Sequence, residues 1–310
     1  MAEKIAPRAV LAETLIELAE NNPDIVVLDA DFNPASMITP FRERFPDRFI
    51  QCGIAEQNMM SMAAGLSTVG FIPFASTIAT FCSRRACDQI AVSIAISKLN
   101  VKILAVYPGF LVGTNGASHQ SMEDIAIMRA IPNMTVVHPA DAWEMKQVVK
   151  YAAAYDGPMY IRVARDNYDK FIPDGYQFEL GKSCVLREGS DVTIMVYGEL
   201  IEDVLETVDI LKDKGVSARV VNMSSLKPVD QDAIIKAAKE TGKIVTVDNH
   251  NVIGGLGSAV CEVVAEKCPI PVKRLGVQDI PGRSGKNHAM KEYFGLTAQQ
   301  MANSILEFVG

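Results

Sequence analysis

The chain has 310 residues, 49% of them hydrophobic and 22% charged, with a net charge of −7. That is enough apolar material for a sizeable core and enough length for two domains. Scattered Lys and Arg residues argue against a nucleic-acid-binding face, and no apolar run reaches the ~20 residues needed to cross a bilayer. The N-terminus lacks the order of a signal peptide, so a cytoplasmic location is expected. Six cysteines, Cys52, Cys82, Cys87, Cys184, Cys261 and Cys268, form no Cys-x-x-Cys pair and have no histidine at metal spacing. They are expected as free thiols.

Helical spacing of apolar residues predicts a helix over 9–20, closed by Asn21, Asn22 and Pro23. A short buried strand over 25–28 then presents Asp29, Asp31, Asn33 and Ser36 at its carboxyl end, where ligands gather in open α/β sheets. A strand-like run gives way to Gly53, and Glu56 opens an apolar, Met- and Ala-rich helix reaching Leu66. This puts one carboxylate in the first turn of a largely buried helix. A helix N-terminus favours the charge, but burial demands a hydrogen-bonding partner from outside the segment.

Residues 70–74 read as a strand, and 75–81 lead into a helix ending at Ile96. The apolar strand 101–107 opens into the Gly-rich loop 113–120, followed by a helix over 121–130, a strand over 135–137, a helix capped by Asp141 and running to Ala154, and a strand over 159–163. That last strand delivers Arg162 and Arg165. Residues 171–190 lack a long period and are expected to join a domain of residues 1–170 to one of residues 191–310. The second half repeats the alternation, with strands at 192–197, 216–222 and 244–247 and helices at 200–212, 230–240, 258–266 and 297–308. The fold class is therefore α/β: two domains, each a largely parallel sheet flanked by helices.

Candidate chemistry is sparse. Gly254-Gly255-Leu256-Gly257-Ser258 precedes a helix but matches no nucleotide-binding fingerprint, so it reads as tight packing at a helix start. His250 just before it reads as structural or interfacial, and His288 as exposed. His119 lies in the Gly-rich loop, where imidazole can hold a hydroxyl or relay a proton; His138 ends a strand near the same crevice. Arg8 and Arg165 are candidates for a phosphate clamp, because guanidinium offers planar paired donors. A Gly-x-Ser-x-Gly elbow does not occur, which removes support for a triad hydrolase.

Five segments together, Gly53-Ile54-Ala55-Glu56-Gln57-Asn58, Phe74-Ala75-Ser76-Thr77, the loop from Gly113 to Gln120, Arg129-Ala130-Ile131-Pro132-Asn133-Met134, and Asn249 to Ser258, resemble the C-terminal half of transketolases over nearly the whole chain. The resemblance implies a thiamine diphosphate pyrimidine-binding domain followed by a transketolase C-terminal domain. The family's Gly-Asp-Gly metal motif is absent here. The implied enzyme is thus split: an N-terminal transketolase subunit supplies Mg2+ and the diphosphate site, and an α2β2 heterotetramer is the natural assembly.

Residue by residue, Glu56 matches the glutamate that bonds the cofactor's aminopyrimidine ring and favours its imino tautomer. Phe81 matches the stacking aromatic, Ile78 and Cys87 the wall positions, and Asp31 the nearby acid. Arg8, Ser36 and Arg165 match phosphate-binding positions, and His119 the histidine at the donor's hydroxyls, making Glu56 and His119 the catalytic pair. The chain departs from the usual pattern at four places. Ile78 replaces an aromatic, Cys87 a tyrosine, Tyr107 a histidine of the phosphate site, and Asn115 an aspartate that reads an acceptor hydroxyl. Retained ketol transfer with an altered sugar phosphate, branched or otherwise unusual, is the expectation. Rival readings are the β chain of a 2-oxo acid dehydrogenase, a 1-deoxyxylulose-phosphate-synthase-like enzyme, and a non-catalytic scaffold subunit.

Overall fold

Residues 4–310 are described by the computed structural model. In the first part of the chain, a 3-10 turn at Pro7–Val10 leads into α1 (Leu11–Asn21), β1 (Ile25–Asp29), the short helices α2 (Asn33–Ser36) and α3 (Thr39–Arg44), β2 (Phe49–Gln51) and α4 (Glu56–Thr68). Then come β3 (Ile72–Ile78), β4 (Lys102–Val106), α5 (Asp124–Ala130), β5 (Thr135–Val137), α6 (Ala142–Ala154) and β6 (Met159–Val163). The second part holds β7 (Cys184–Arg187), β8 (Val192–Val196), α7 (Ile201–Asp213), β9 (Ala218–Asn222), β10 (Ser225–Lys227), α8 (Gln231–Glu240), β11 (Ile244–Asn251), α9 (Leu256–Lys267), β12 (Val272–Val277), α10 (Asn287–Tyr293) and α11 (Ala298–Val309).

Strands β1, β4, β5, β6 and β8 are buried at every residue, the pattern of parallel strands covered on both faces. They build a seven-stranded sheet, ordered β10-β5-β6-β4-β3-β1-β2, and a five-stranded sheet, ordered β12-β11-β8-β9-β7. Among the described residues these strands pair in parallel except at two edges. β7 runs antiparallel to β9, and β10 leaves the second part of the chain to pair antiparallel with β5. Residues 184–187, placed in the connector by sequence, are thus an edge strand.

Two further differences have physical causes. The helix expected up to Ile96 is broken, because β3 continues to Ile78 and the chain then winds through wide π-type turns at Phe81–Arg85 and Gln89–Ala95. Such turns recur at functional sites because they re-aim side chains. β12 and α10 have no counterpart among the expected elements: β12 is at least partly exposed over its first three residues and α10 buries only Met290, so neither carries a full apolar period.

A buried polar network joins the two halves. Arg162 is fully buried; its Nε donates to Asp124 Oδ2 at 2.9 Å, and its Nη1 meets Asn249 Oδ1 at 2.7 Å and His138 Nδ1 at 2.9 Å. Tyr160 adds a bond to Asp124 Oδ2 at 2.8 Å. Because Nδ1 of His138 accepts a hydrogen bond from Arg162, that nitrogen carries no proton and the ring is neutral, with Nε2 facing Glu199 at 3.1 Å. Burial lowers the His138 pKa in the same sense. Nearby, the buried Glu144 carboxylate accepts from Ala140 N, Tyr176 Oη, Ser224 Oγ and Asn222 Nδ2. Burial still holds its pKa above the ordinary carboxylate value.

Candidate active site

Glu56 starts α4 after Gly53, whose φ of 67° lets the chain turn off β2 into the helix. Its side chain is 1% exposed, and the outside partner that burial demands is Arg85, whose Nη1 donates to Glu56 Oε2 at 2.6 Å. The Arg85 guanidinium also lies over the Phe81 ring, 4.5 Å from its centre, and the His119 ring meets Phe81 edge-on with centres 5.3 Å apart. Ile78 is buried in the cluster against which Phe81 packs. Glu56, Phe81 and His119 are therefore brought together around Arg85 and the Phe81 ring, with Ile78 in the apolar cluster that backs that ring.

Cys87 lies two residues beyond Arg85, on the α4 side. It packs against the apolar cluster holding Met59, Met60 and Ile90. Burial, followed by the Asp88 charge, raises its thiol pKa, so it is no poised nucleophile. All six cysteines are free.

A second group lies at the carboxyl ends of β4 and β6. Tyr107, held at a φ of 60°, has both candidate arginines on its ring, with Arg8 5.3 Å and Arg165 4.9 Å from the centroid. Arg8 is fixed by Nε to the Arg165 carbonyl at 2.9 Å and by Nη1 to Tyr107 Oη at 2.7 Å and Ala35 O at 2.5 Å. Arg165 Nη1 is fixed to Val112 O at 2.7 Å. Each guanidinium thus spends some donors on posture and keeps others for an anion. Ser36 departs from its expected role: it is fully buried with its hydroxyl turned onto Asn33 O at 3.2 Å, and the neighbouring Ala35 carbonyl touches Arg8 instead. Asp31 sits exposed at a φ of 58°, its amide bonded to Gln51.

The loop bearing Asn115 and His119 is positioned by the C-terminal half. Gly113 N bonds Asn287 Oδ1 at 2.9 Å and Gln120 Nε2 bonds Arg283 O at 2.9 Å, leaving Asn115 exposed and His119 half-buried. The Gly254–Ser258 turn is filled from within, since Asp248 accepts from Leu256 N at 3.1 Å and Gly257 N at 3.0 Å, which occupies the start of α9. His250 is buried, accepting from Ala126 N and bridging to Asn251 O, a role at the seam between the halves. His138 is also buried in the interdomain network rather than near the crevice, and His288 is exposed. Sequence reading missed Arg85, although a cation four residues after the stacking aromatic was a usable signal. It also missed the Asp124–Arg162 pair, for which a separation of 38 positions left no local signal.

One surface concavity, lined by Arg187, Val208, Lys212 and Val216, sits against β7 and α7 and includes none of these site residues. Beside Glu56, Ile54 is 74% exposed. An apolar side chain is thus left bare at the surface next to the start of α4.

Two mostly parallel α/β units joined by a buried interface, the first with a sealed helix-start carboxylate linked through Arg85 to an aromatic ring, are the architecture of a pyrimidine binding domain followed by a transketolase C-terminal domain. The chain belongs to the transketolase family: the model of the transketolase pyrimidine binding domain matches residues 3–170 and that of the transketolase C-terminal domain residues 181–301. It is 42% identical to the 6-deoxy-6-sulfo-D-fructose transketolase subunit of Clostridium sp. strain MSTE9, over 97% of this chain and 93% of that one. It is 40% identical to one subunit of the apulose-4-phosphate transketolase of Phocaeicola vulgatus, over 98% of each. A solved split gene transketolase, an inactive beta4 tetramer, superposes with a TM-score of 0.91 at 47% identity, covering 98% of both chains.

Proposed function

We propose that this chain is the C-terminal subunit of a split, thiamine diphosphate-dependent transketolase that moves a two-carbon ketol unit from a ketose phosphate to an aldehyde acceptor. The observation that carries the reading is Glu56, a carboxylate sealed to 1% exposure and joined to the Phe81 ring through the one Arg85 guanidinium that touches both. A flat heterocycle with a ring nitrogen facing the acid and a face on the aromatic fits those two groups. The cofactor, when bound, supplies a carbon nucleophile that cleaves the bond beside the ketose carbonyl. Glu56 holds and exchanges a proton with the pyrimidine nitrogen, while Phe81 and Ile78 wall the ring and keep water away from it. His119 orients the donor's hydroxyl groups, with Asn115 at the acceptor and Asp31 near the cofactor rim. Arg8 and Arg165 hold the anionic tail across Tyr107, converting remote binding energy into orientation of the reacting carbon.

An N-terminal transketolase subunit would bring Mg2+ and the diphosphate site, in an α2β2 assembly. Support comes from the open apolar rim at Ile54, from the subunit names of the relatives, and from the inactivity of the related beta4 tetramer. An unusual sugar substrate is supported by Tyr107 and Asn115 and by those relatives, whose names specify a sulfo-sugar and apulose 4-phosphate. Free thiols fit a reducing cytoplasm. Among the described residues no helix is long and apolar enough to cross a membrane.

Reconstitution tests the proposal. Mixed with the N-terminal subunit, thiamine diphosphate and Mg2+, the chain is expected to lengthen aldehyde acceptors by two carbons, and alone to be inert. An assembled, cofactor-loaded complex silent toward a broad panel of ketose phosphates would favour the scaffold reading, and turnover of pyruvate one of the other enzyme readings. Within the active complex, Arg165→Ala should raise KM for a phosphorylated donor by roughly 10- to 100-fold, the loss of a charged hydrogen bond, with a smaller change in kcat. A donor lacking phosphate should show no such change. Equal losses with both donors would remove Arg165 from the anion site.

A further inference from the structure

We propose that Arg85 is a built-in occupant of the cofactor ring's place: its guanidinium caps Glu56 and covers Phe81 while the ring is absent, and must leave when the ring binds. The inference rests on reading Glu56 and Phe81 as the ring's contacts. One planar group makes both of the contacts that a flat nitrogenous ring would make there, a hydrogen bond of 2.6 Å to Glu56 Oε2 and a stacked position 4.5 Å from the Phe81 centroid. Guanidinium is suited to both, being flat, delocalised and weakly hydrated. Two flat groups cannot share that space.

The two ends of this ion pair differ in what they need. Glu56 is buried, with a side-chain exposure of 1%, and an unpaired charge there is costly. Arg85 is 45% exposed, so it can swing into water with little loss. Its neighbour Arg84 is tied to Glu123 and to the Gln120 carbonyl, which holds the turn in place while Arg85 moves. The π-type turn Phe81–Arg85 sets the aromatic at its first residue and the cation at its last, so occupant and platform are delivered by one local element. The acid is therefore never left bare: ring binding exchanges one partner for another. The apparent affinity for the cofactor is reduced by the fraction of molecules in which Arg85 is still in place.

The experiment uses the reconstituted two-subunit complex, titrated calorimetrically with thiamine diphosphate at saturating Mg2+. Arg85→Met, which keeps the stem and removes the planar cation, is expected to tighten cofactor binding about tenfold. Arg85→Lys, which keeps the charge without the stacking plane, should fall between Met and wild type. In thermal melts the cofactor-free Met complex should unfold several degrees below wild type, because Glu56 has lost its cap, and cofactor should restore the difference. Unchanged or weaker binding by Arg85→Met would overturn the proposal, the latter making Arg85 a cofactor contact. The reading of the site fails separately, and takes the proposal with it, if Phe81→Ala, which removes the ring's platform, binds cofactor as tightly as wild type or if no version binds it.

Discussion

Glu56→Gln is expected to lower kcat of the assembled enzyme by roughly 10²–10⁴-fold, the range for losing a positioned proton-exchanging group. Gln has the same shape and can still hydrogen-bond a ring nitrogen, so packing at the start of α4 and the bond itself are preserved. What it cannot do is take and return a proton. The substitution also removes the charge that Arg85 neutralises, yet Arg85 is half-exposed and can turn to solvent, so the fold should hold. Steady-state assays at saturating cofactor and donor, together with a melting curve, check this. A variant that folds normally and keeps activity within a few-fold of wild type would remove Glu56 from the chemistry. The effect should appear in kcat and in kcat/KM alike, since the lost interaction belongs to the transition state.

Arg162→Met should destabilise the chain by about 3–5 kcal/mol, the usual result of removing one partner of a buried pair. The change leaves Asp124, fully buried, without its two guanidinium bonds, and strips Asn249 and His138 of the donor that ties them to β6. Urea unfolding would show a lower midpoint. The double variant with Asp124→Leu should lose less than the two single variants added together, because the orphaned charge is gone as well. A single variant melting within a degree of wild type would show that the network is dispensable. The pair matters for the site because Arg165 leaves β6 two residues after its end and the His119 loop is braced by residues 283–287 of the other half. Loosening the joint should therefore blur both sugar-binding groups even in molecules that remain folded.

The parts legible in the sequence were those with local causes. Fully apolar runs became the buried strands, Asp141 capped α6 through Glu144 N, and Glu56 announced through its neighbours that it would need a foreign partner. The convergence of Glu56, Phe81 and His119 followed from the family resemblance, since they lie on three separate segments that no periodicity brings together. What was not legible was non-local. Ser36 turned inward because α2 closes on itself through Asn33 O, and the segment expected as one helix to Ile96 widens into π-type turns. Arg162 read as a strand-end cation because its partners Asp124 and Asn249 lie 38 and 87 residues away.

The crossing of β10 into the seven-stranded sheet has a bearing on how such an enzyme can be divided. Ser225 and Lys227 shield β5, whose own residues are wholly apolar or Thr, and a polypeptide stopped before them would display that rim as a sticky template for other strands. The two lobes are therefore stitched into one piece: a cut between them would leave each fragment holding half a seam.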